Sequence, residues 1–186
     1  NGVTGGWGGE EFNFSWSMEG SGTDFAIASM AKYLRDKATP GSEAWQKYND
    51  EYLYFTARAT NYVHLFNESM GGWFRAKKSD GTWLQTDEQF DPTAQGYGYC
   101  EDNAYNYAFP PYDGQGLANL YGMARNRDGR TALGDKLDEA YSAVGTANPG
   151  SWTGHKENWE GRDAKQGQIH MTNQPAHHIP YMYLYT

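Results

Sequence analysis

Between Trp45 and Phe66, the residues Trp45, Tyr48, Tyr52, Phe55, Ala59, Tyr62 and Phe66 recur at alternating spacings of three and four. That is the repeat of one face of an α-helix. With Ser42 ahead of it as an N-cap, the spacing predicts a rod of about seven turns. No other segment has so strong a period, and it sets the expectation of a helical chain.

The flanking segments carry weaker signals. Residues 1–22, rich in Gly, Ser and Trp, read as loop, with a short strand at Phe12 to Trp16. Thr23 caps a helix whose apolar face is Ile27, Met30, Ala31 and Leu34 and which ends near Asp36. Thr39-Pro40-Gly41 breaks the chain. Within residues 70–85 two aromatic runs flank Ser79-Asp80-Gly81, the pattern of a short hairpin. Residues 86–101 read as irregular. Asp102 to Phe109 reads as a helix halted by Pro110-Pro111. Asp113 or Gly114 starts a helix that runs through Leu117 and Leu120 to Gly122, and Thr131 to Ala143 forms another. Residues 145–169 are a long polar loop. Pro175, at a first helical position, opens the last helix. No repeat of fixed period is present. Helix pairs joined by long loops predict an all-α solenoid or barrel, and loops of that length in a compact domain tend to carry function.

Composition narrows the partners. Aromatic residues make up 16% of the chain, 15 of them Tyr, yet the mean hydropathy is −0.87. Rings with polar tips suit half-wet clefts, where sugars lie flat on them, and they suit a tyrosine-rich core equally well. A net charge of −8 argues against a nucleic-acid partner, which needs a basic face. The single Cys100 excludes an internal disulfide. No apolar run reaches the length of a membrane span, and no signal peptide is visible. The sequence starts at Asn1 and stops at Thr186 inside an apolar-aromatic segment, which reads as a piece of something longer.

Three clusters stand out. In GYGYCEDNAYNY, residues 96–107, Glu101 and Asp102 sit among four tyrosines. A carboxyl walled by rings is desolvated and becomes a candidate general acid. An acidic first turn of a helix explains the same residues. In PPYDGQG, residues 110–116, Asp113 and Gln115 stand at a helix start, where Asp113 is also a natural N-cap. Glu19 and Asp24, between Trp16 and Phe25, pose the same choice. In NQPAHHIPY, residues 173–181, the paired His177 and His178 do not have the spacing of a zinc site. Asn173 and Gln174 offer oxygens, which suit a hard cation such as calcium or the hydroxyls of a sugar.

Four blocks taken in order resemble glycoside hydrolase family 92, the calcium-dependent exo-α-mannosidases. They are SMEGSGTDFAIASMAKYL, GYCEDNAYNYAF, YDGQGLANLYG and NQPAHHIPYMY, and they span residues 17–183. The resemblance implies an all-α fold, part of an (α/α)6 barrel, with residues 1–186 a partial catalytic domain. The family's preceding β-sandwich domain is not seen here. The reaction implied is hydrolysis of a terminal α-mannoside with inversion, on a mannose-containing glycan. Glu101 aligns with the family's general acid. The general base belongs to a downstream Gly-Asp-rich block, so the chain alone is expected to be catalytically incomplete. Asn173 and Gln174 align with the calcium loop. Glu19, Asp24, Asp113, Gln115, Met171, Thr172, His177 and His178 align with sugar-side positions. A secreted or cell-envelope location is also implied.

The departures from the family's pattern are specific. Gln174 replaces the glutamate of many members. Met171-Thr172 stands where members that cut α-1,2 bonds place a histidine and a polar residue. Asp102 and Tyr105 replace the usual Gly and Trp, and PPYD is one residue short. An unusual leaving group, such as a phosphodiester-linked mannose, would fit these changes. Two rival readings are another helical-barrel carbohydrate enzyme and a non-catalytic glycan-binding module.

Overall fold

In the computed structural model, residues 13–94, 98–99, 102–144, 167–171 and 174–186 are described. They are mostly helical, with four α-helices, several 3-10 turns and one two-stranded sheet among them. This is the all-α chain expected, and its helix content accords with part of an (α/α)6 barrel. No helix among the described residues is long and apolar enough to cross a membrane. Two compact units are distinguished, residues 16–64 and residues 1–15 with 65–186.

The first unit is two antiparallel helices. α1 spans Asn13–Lys37 and α2 spans Glu43–Ala59. α1 starts about ten residues before the expected Thr23 cap, and residues 13–16 are helix, not strand. The Ser, Gly and Thr of this stretch misled the sequence reading. Their hydroxyls turn back onto the helix. Ser21 Oγ donates to Ser17 O at 3.1 Å, and Thr23 Oγ1 donates to Glu19 O at 3.2 Å. Bonded to the carbonyl one turn behind, these side chains stop competing with the helix ladder. α2 starts as expected, with Ser42 Oγ accepting the Trp45 N–H at 3.2 Å. Its aromatic period runs on past Ala59, but Thr60–Leu65 tightens to a 3-10 helix. Arg58 Nε donates to Asp24 Oδ2 at 2.9 Å, and the Arg35 guanidinium lies 4.8 Å from the Tyr52 ring centre.

The second unit is built around a helical hairpin, α3 (Gly114–Arg125) and α4 (Gly129–Ser142). α3 runs a turn past the expected stop at Gly122, and Asn126, at φ 49°, ends it in a left-handed cap. The two helices meet backbone to backbone. A Cβ on Gly122 would lie 2.8 Å from Gly129 Cα, and one on Gly129 would lie 2.6 Å from Ala118 O. Beside them β1 (Phe66–Asn67) pairs antiparallel with β2 (Trp73–Phe74), with Phe66 opposite Phe74. The expected hairpin follows, as a bridge between Lys77 and Trp83 closed by Lys78 N–H donating to Thr82 O at 2.8 Å.

The core of this unit is largely tyrosine and phenylalanine. Trp73 meets Tyr105 edge-on at 4.8 Å, and Phe66 meets Phe74 and Tyr121 at 5.1 and 5.5 Å. Two buried phenols are bonded to backbone carbonyls. Tyr99 OH donates to Phe74 O at 2.7 Å and Tyr121 OH donates to Ala108 O at 2.8 Å. For these rings, the core reading of the aromatic composition is the correct one. Two further segments depart from expectation. Residues 102–109 form a run of turns, not a helix, and Gln174–Ala176 and Ile179–Tyr185 are 3-10 helix, not α.

Lys136 is wholly buried in this core. Its Nζ lies 2.9 Å from the centre of the Trp73 ring and 3.3 Å from Glu139 Oε1. Glu139 also accepts from Arg125 Nη2 at 2.5 Å and from Tyr105 OH at 3.1 Å. Burial pulls the Lys136 pKa down to about 7; Glu139 opposes the shift and Arg125 adds to it. Between that value and the ordinary 10.5, the unfolded chain holds a proton that the folded chain has released. Folded stability therefore rises with pH across that window. We expect the stability of the intact protein relative to its Lys136→Met variant to climb from about pH 7 to pH 10 and to be flat below, in urea unfolding followed by circular dichroism. A difference that stays flat from pH 7 to 10 contradicts this.

Candidate active site

Residues 102–110 are all buried. Two asparagines explain why they do not form a helix. Asn103 Oδ1 accepts the Tyr105 N–H at 3.0 Å and an Asn106 Nδ2–H at 3.2 Å. A side chain bonded to backbone two residues on holds a turn in place of a helical rung. The backbone then proceeds by three-residue turns, with Asn106 N–H donating to Asn103 O and Ala108 N–H to Tyr105 O, each at 3.2 Å.

The segment from Gly167 onward packs along this run. Asn106 Nδ2 donates to Gln168 O at 3.2 Å, and Asn106 Oδ1 accepts the His170 N–H at 3.0 Å. Asn103 Nδ2 reaches Gln168 Oε1 at 3.3 Å. Gln168 N–H in turn donates to Ala140 O at 2.8 Å, which ties the segment to the end of α4. Asp102 is 1% exposed, and its Oδ1 lies 2.7 Å from His170 Nδ1. A carboxyl group that far from water requires such a partner.

His177 and His178 part company. His178 Nε2–H donates to Phe109 O at 2.5 Å, and His177 Nε2–H donates to Met171 O at 3.0 Å. Burial lowers the His178 pKa below the usual histidine value, only partly offset by its bonds to Phe109 and Pro175 backbone, so it is a neutral donor near pH 7. With both Nε2 atoms engaged to different carbonyls, the pair does not chelate one ion through them. No group of three or more His, Cys, Asp or Glu among the described residues is placed to hold a metal.

The other predicted residues fall as follows. Glu101, Thr172 and Asn173 lie outside the described residues. Asp113 caps α3, its Oδ1 accepting the Gly116 N–H at 3.0 Å, and Gln115 donates to Asn119 Oδ1 at 2.9 Å on the exposed face. The Tyr185 ring sits where a Cβ on Gly114 would go, so the C-terminal turn covers the start of α3. Gln174 is exposed, and its carbonyl accepts the His177 N–H at 3.1 Å. Met171 is half-buried. Glu19 and Asp24 belong to the other unit, Glu19 exposed and Asp24 paired with Arg58.

Thus the 102–109 run, part of one of the four sequence blocks, shares a buried hydrogen-bond network with Gln168 and His170, which precede the block that begins at Asn173, and His178 of that block bonds to Phe109 O. The model of the glycosyl hydrolase family 92 catalytic domain matches residues 5–186. The chain belongs to this family. A search of curated proteins returned no match. Family 92 membership makes it a glycoside hydrolase, acting on glycans.

Sequence reasoning missed Asn103, Asn106, Gln168 and the Asp102–His170 pair. Nothing local announces a contact between residues 68 apart. Asn106→Ala would strip the Gln168 carbonyl of a donor and the His170 N–H of its acceptor, both buried. We expect it to lower stability by about 1–3 kcal/mol, read as a shift of the denaturant midpoint. A midpoint within error of wild type would show that the network does not hold the two segments together.

Proposed function

We propose that this family 92 chain hydrolyses terminal α-linked mannose from glycans with inversion of the anomeric centre. Glu101 is the general acid that protonates the departing oxygen. In an inverting enzyme a second carboxylate faces it across about 6.5–9.5 Å, leaving room for the attacking water. The reading assigns that base to the aspartate-rich block that follows these residues in the family pattern.

Calcium fits the donor set of the 173–178 loop. Gln174 presents an exposed amide beside Asn173 in sequence, and amide and backbone oxygens are the ligands a hard cation takes. The histidines beside it spend their Nε2–H groups on carbonyls. Asn173 and Gln174 would hold the ion, which would supply a positive anchor for the sugar's O2 and O3 hydroxyls. His177, His178, Met171 and Thr172 would flank the sugar, and Asp113 and Gln115 would complete its polar surround. A secreted or cell-envelope enzyme accords with these roles.

The observation that supports the reading most is the shared network. The residues that directly follow Glu101 are bonded to Gln168 and His170, ahead of the block that begins at Asn173, and His178 within that block bonds to Phe109 O at the end of the same run. An acid on one block and a sugar-holding loop on the other need that juxtaposition to act on one glycosidic oxygen.

In the intact protein, Glu101→Gln should cut turnover of an unactivated α-mannoside by about 10²–10⁴-fold, the usual worth of a general acid. Calcium affinity, measured by titration calorimetry, should be retained. Unchanged turnover of that substrate removes Glu101 from the role.

A further inference from the structure

We infer that Asp102 and His170 form a positioning pair for the Glu101 acid, the residue next to Asp102 in the chain. The inference rests on the α-mannosidase reading above. Four observations carry it.

First, Asp102 is the residue next to Glu101 in the chain, and it is 1% exposed. Second, its Oδ1 lies 2.7 Å from Nδ1 of His170, itself 6% exposed, so the contact is made away from water. Hydrogen bonds to an ionised group are among the stronger ones, and they are directional. Third, His170 is fixed independently of Asp102: its backbone N–H donates to Asn106 Oδ1 at 3.0 Å. The imidazole is thus anchored from its own backbone and presents a defined nitrogen to the carboxylate. Fourth, Asp102 N–H donates to Tyr99 O at 2.9 Å, and Tyr99 is itself pinned by its phenol to Phe74 O. Tyr99 and Asp102 are thus each fixed to the unit, and His170 fixes the second of them.

The position also departs from the family pattern, in which a glycine follows the acid. A glycine there has no side chain to anchor. Asp102 replaces that freedom with a tether to His170. Tyr105, the second departure, is tethered in the same way: its phenol donates to Glu139 Oε1 at 3.1 Å. Both departures add a bond to a distant segment at the same turn-rich run.

A positioning role has a signature that a packing role lacks. Displacement of an acid by a fraction of an ångström slows only the step that needs the proton. Leaving groups that depart without protonation do not sense it. The test is Asp102→Ala in the intact protein, assayed on a terminal α-mannobioside and on 2,4-dinitrophenyl α-mannoside. We expect kcat on the mannobioside to fall about tenfold to a hundredfold, with KM within about twofold and the dinitrophenyl substrate within about threefold of wild type. Asp102→Asn, which keeps an oxygen acceptor for the Nδ1–H, should recover most of the lost kcat. Where Asp102→Ala does not accumulate as folded protein, His170→Gln carries the same comparison.

Equal losses on both substrates, or no recovery in Asp102→Asn, overturn the positioning role and leave the mannosidase reading standing. A wild-type protein that cleaves neither mannoside overturns that reading, and the inference with it.

Discussion

A carboxyl group taken out of water has to be met by a donor, and the placement of Asp102 follows from that need. His170 meets it at 2.7 Å. The amides of Asn103, Asn106 and Gln168 fill the surrounding polar demands between the same two segments. Each buried amide both donates and accepts, so a small set of them can zip two irregular stretches together where no helix or sheet ladder is present. The rest of the unit depends on this seam. Without it the 102–109 run and residues 168–170 would have only packing to hold their register.

The seam is framed by a core that differs from the aliphatic norm. Tyrosines supply much of its volume, and the hydroxyls of Tyr99, Tyr105 and Tyr121 are tied off on carbonyls and a carboxylate. Each such ring acts as a hydrophobic block and as a cross-link. Lys136 belongs to the same design. Its ammonium faces Trp73, and Glu139 links it to Arg125 and Tyr105. A low mean hydropathy and a well-filled interior are compatible on these terms.

What the sequence disclosed was local. Ser42 and Asp113 were legible as caps because a cap needs only the next three residues. The 77–83 bridge was legible because Asp80-Gly81 forms its turn from adjacent residues. The all-α class followed from one strongly periodic helix. The start of α1 was hidden because its serine and threonine hydroxyls bond backward, a choice that composition does not reveal. The 102–109 run was hidden because its aromatic spacing looks helical while Asn103 and Asn106 divert the backbone. The ordered blocks pointed to the family that the chain proved to belong to. The roles of His177 and His178 needed their carbonyl partners to be seen. The Asp102–His170 contact, 68 residues long-range, had no local trace at all.

The proposed role of this family 92 chain is that of an inverting α-mannosidase. Proton NMR of the intact protein with calcium and a terminal α-mannoside tests it most directly. Inversion requires that the β-anomer of free mannose appears first and the α-anomer grows in only by mutarotation. First appearance of α-mannose, or of a different sugar, would contradict it.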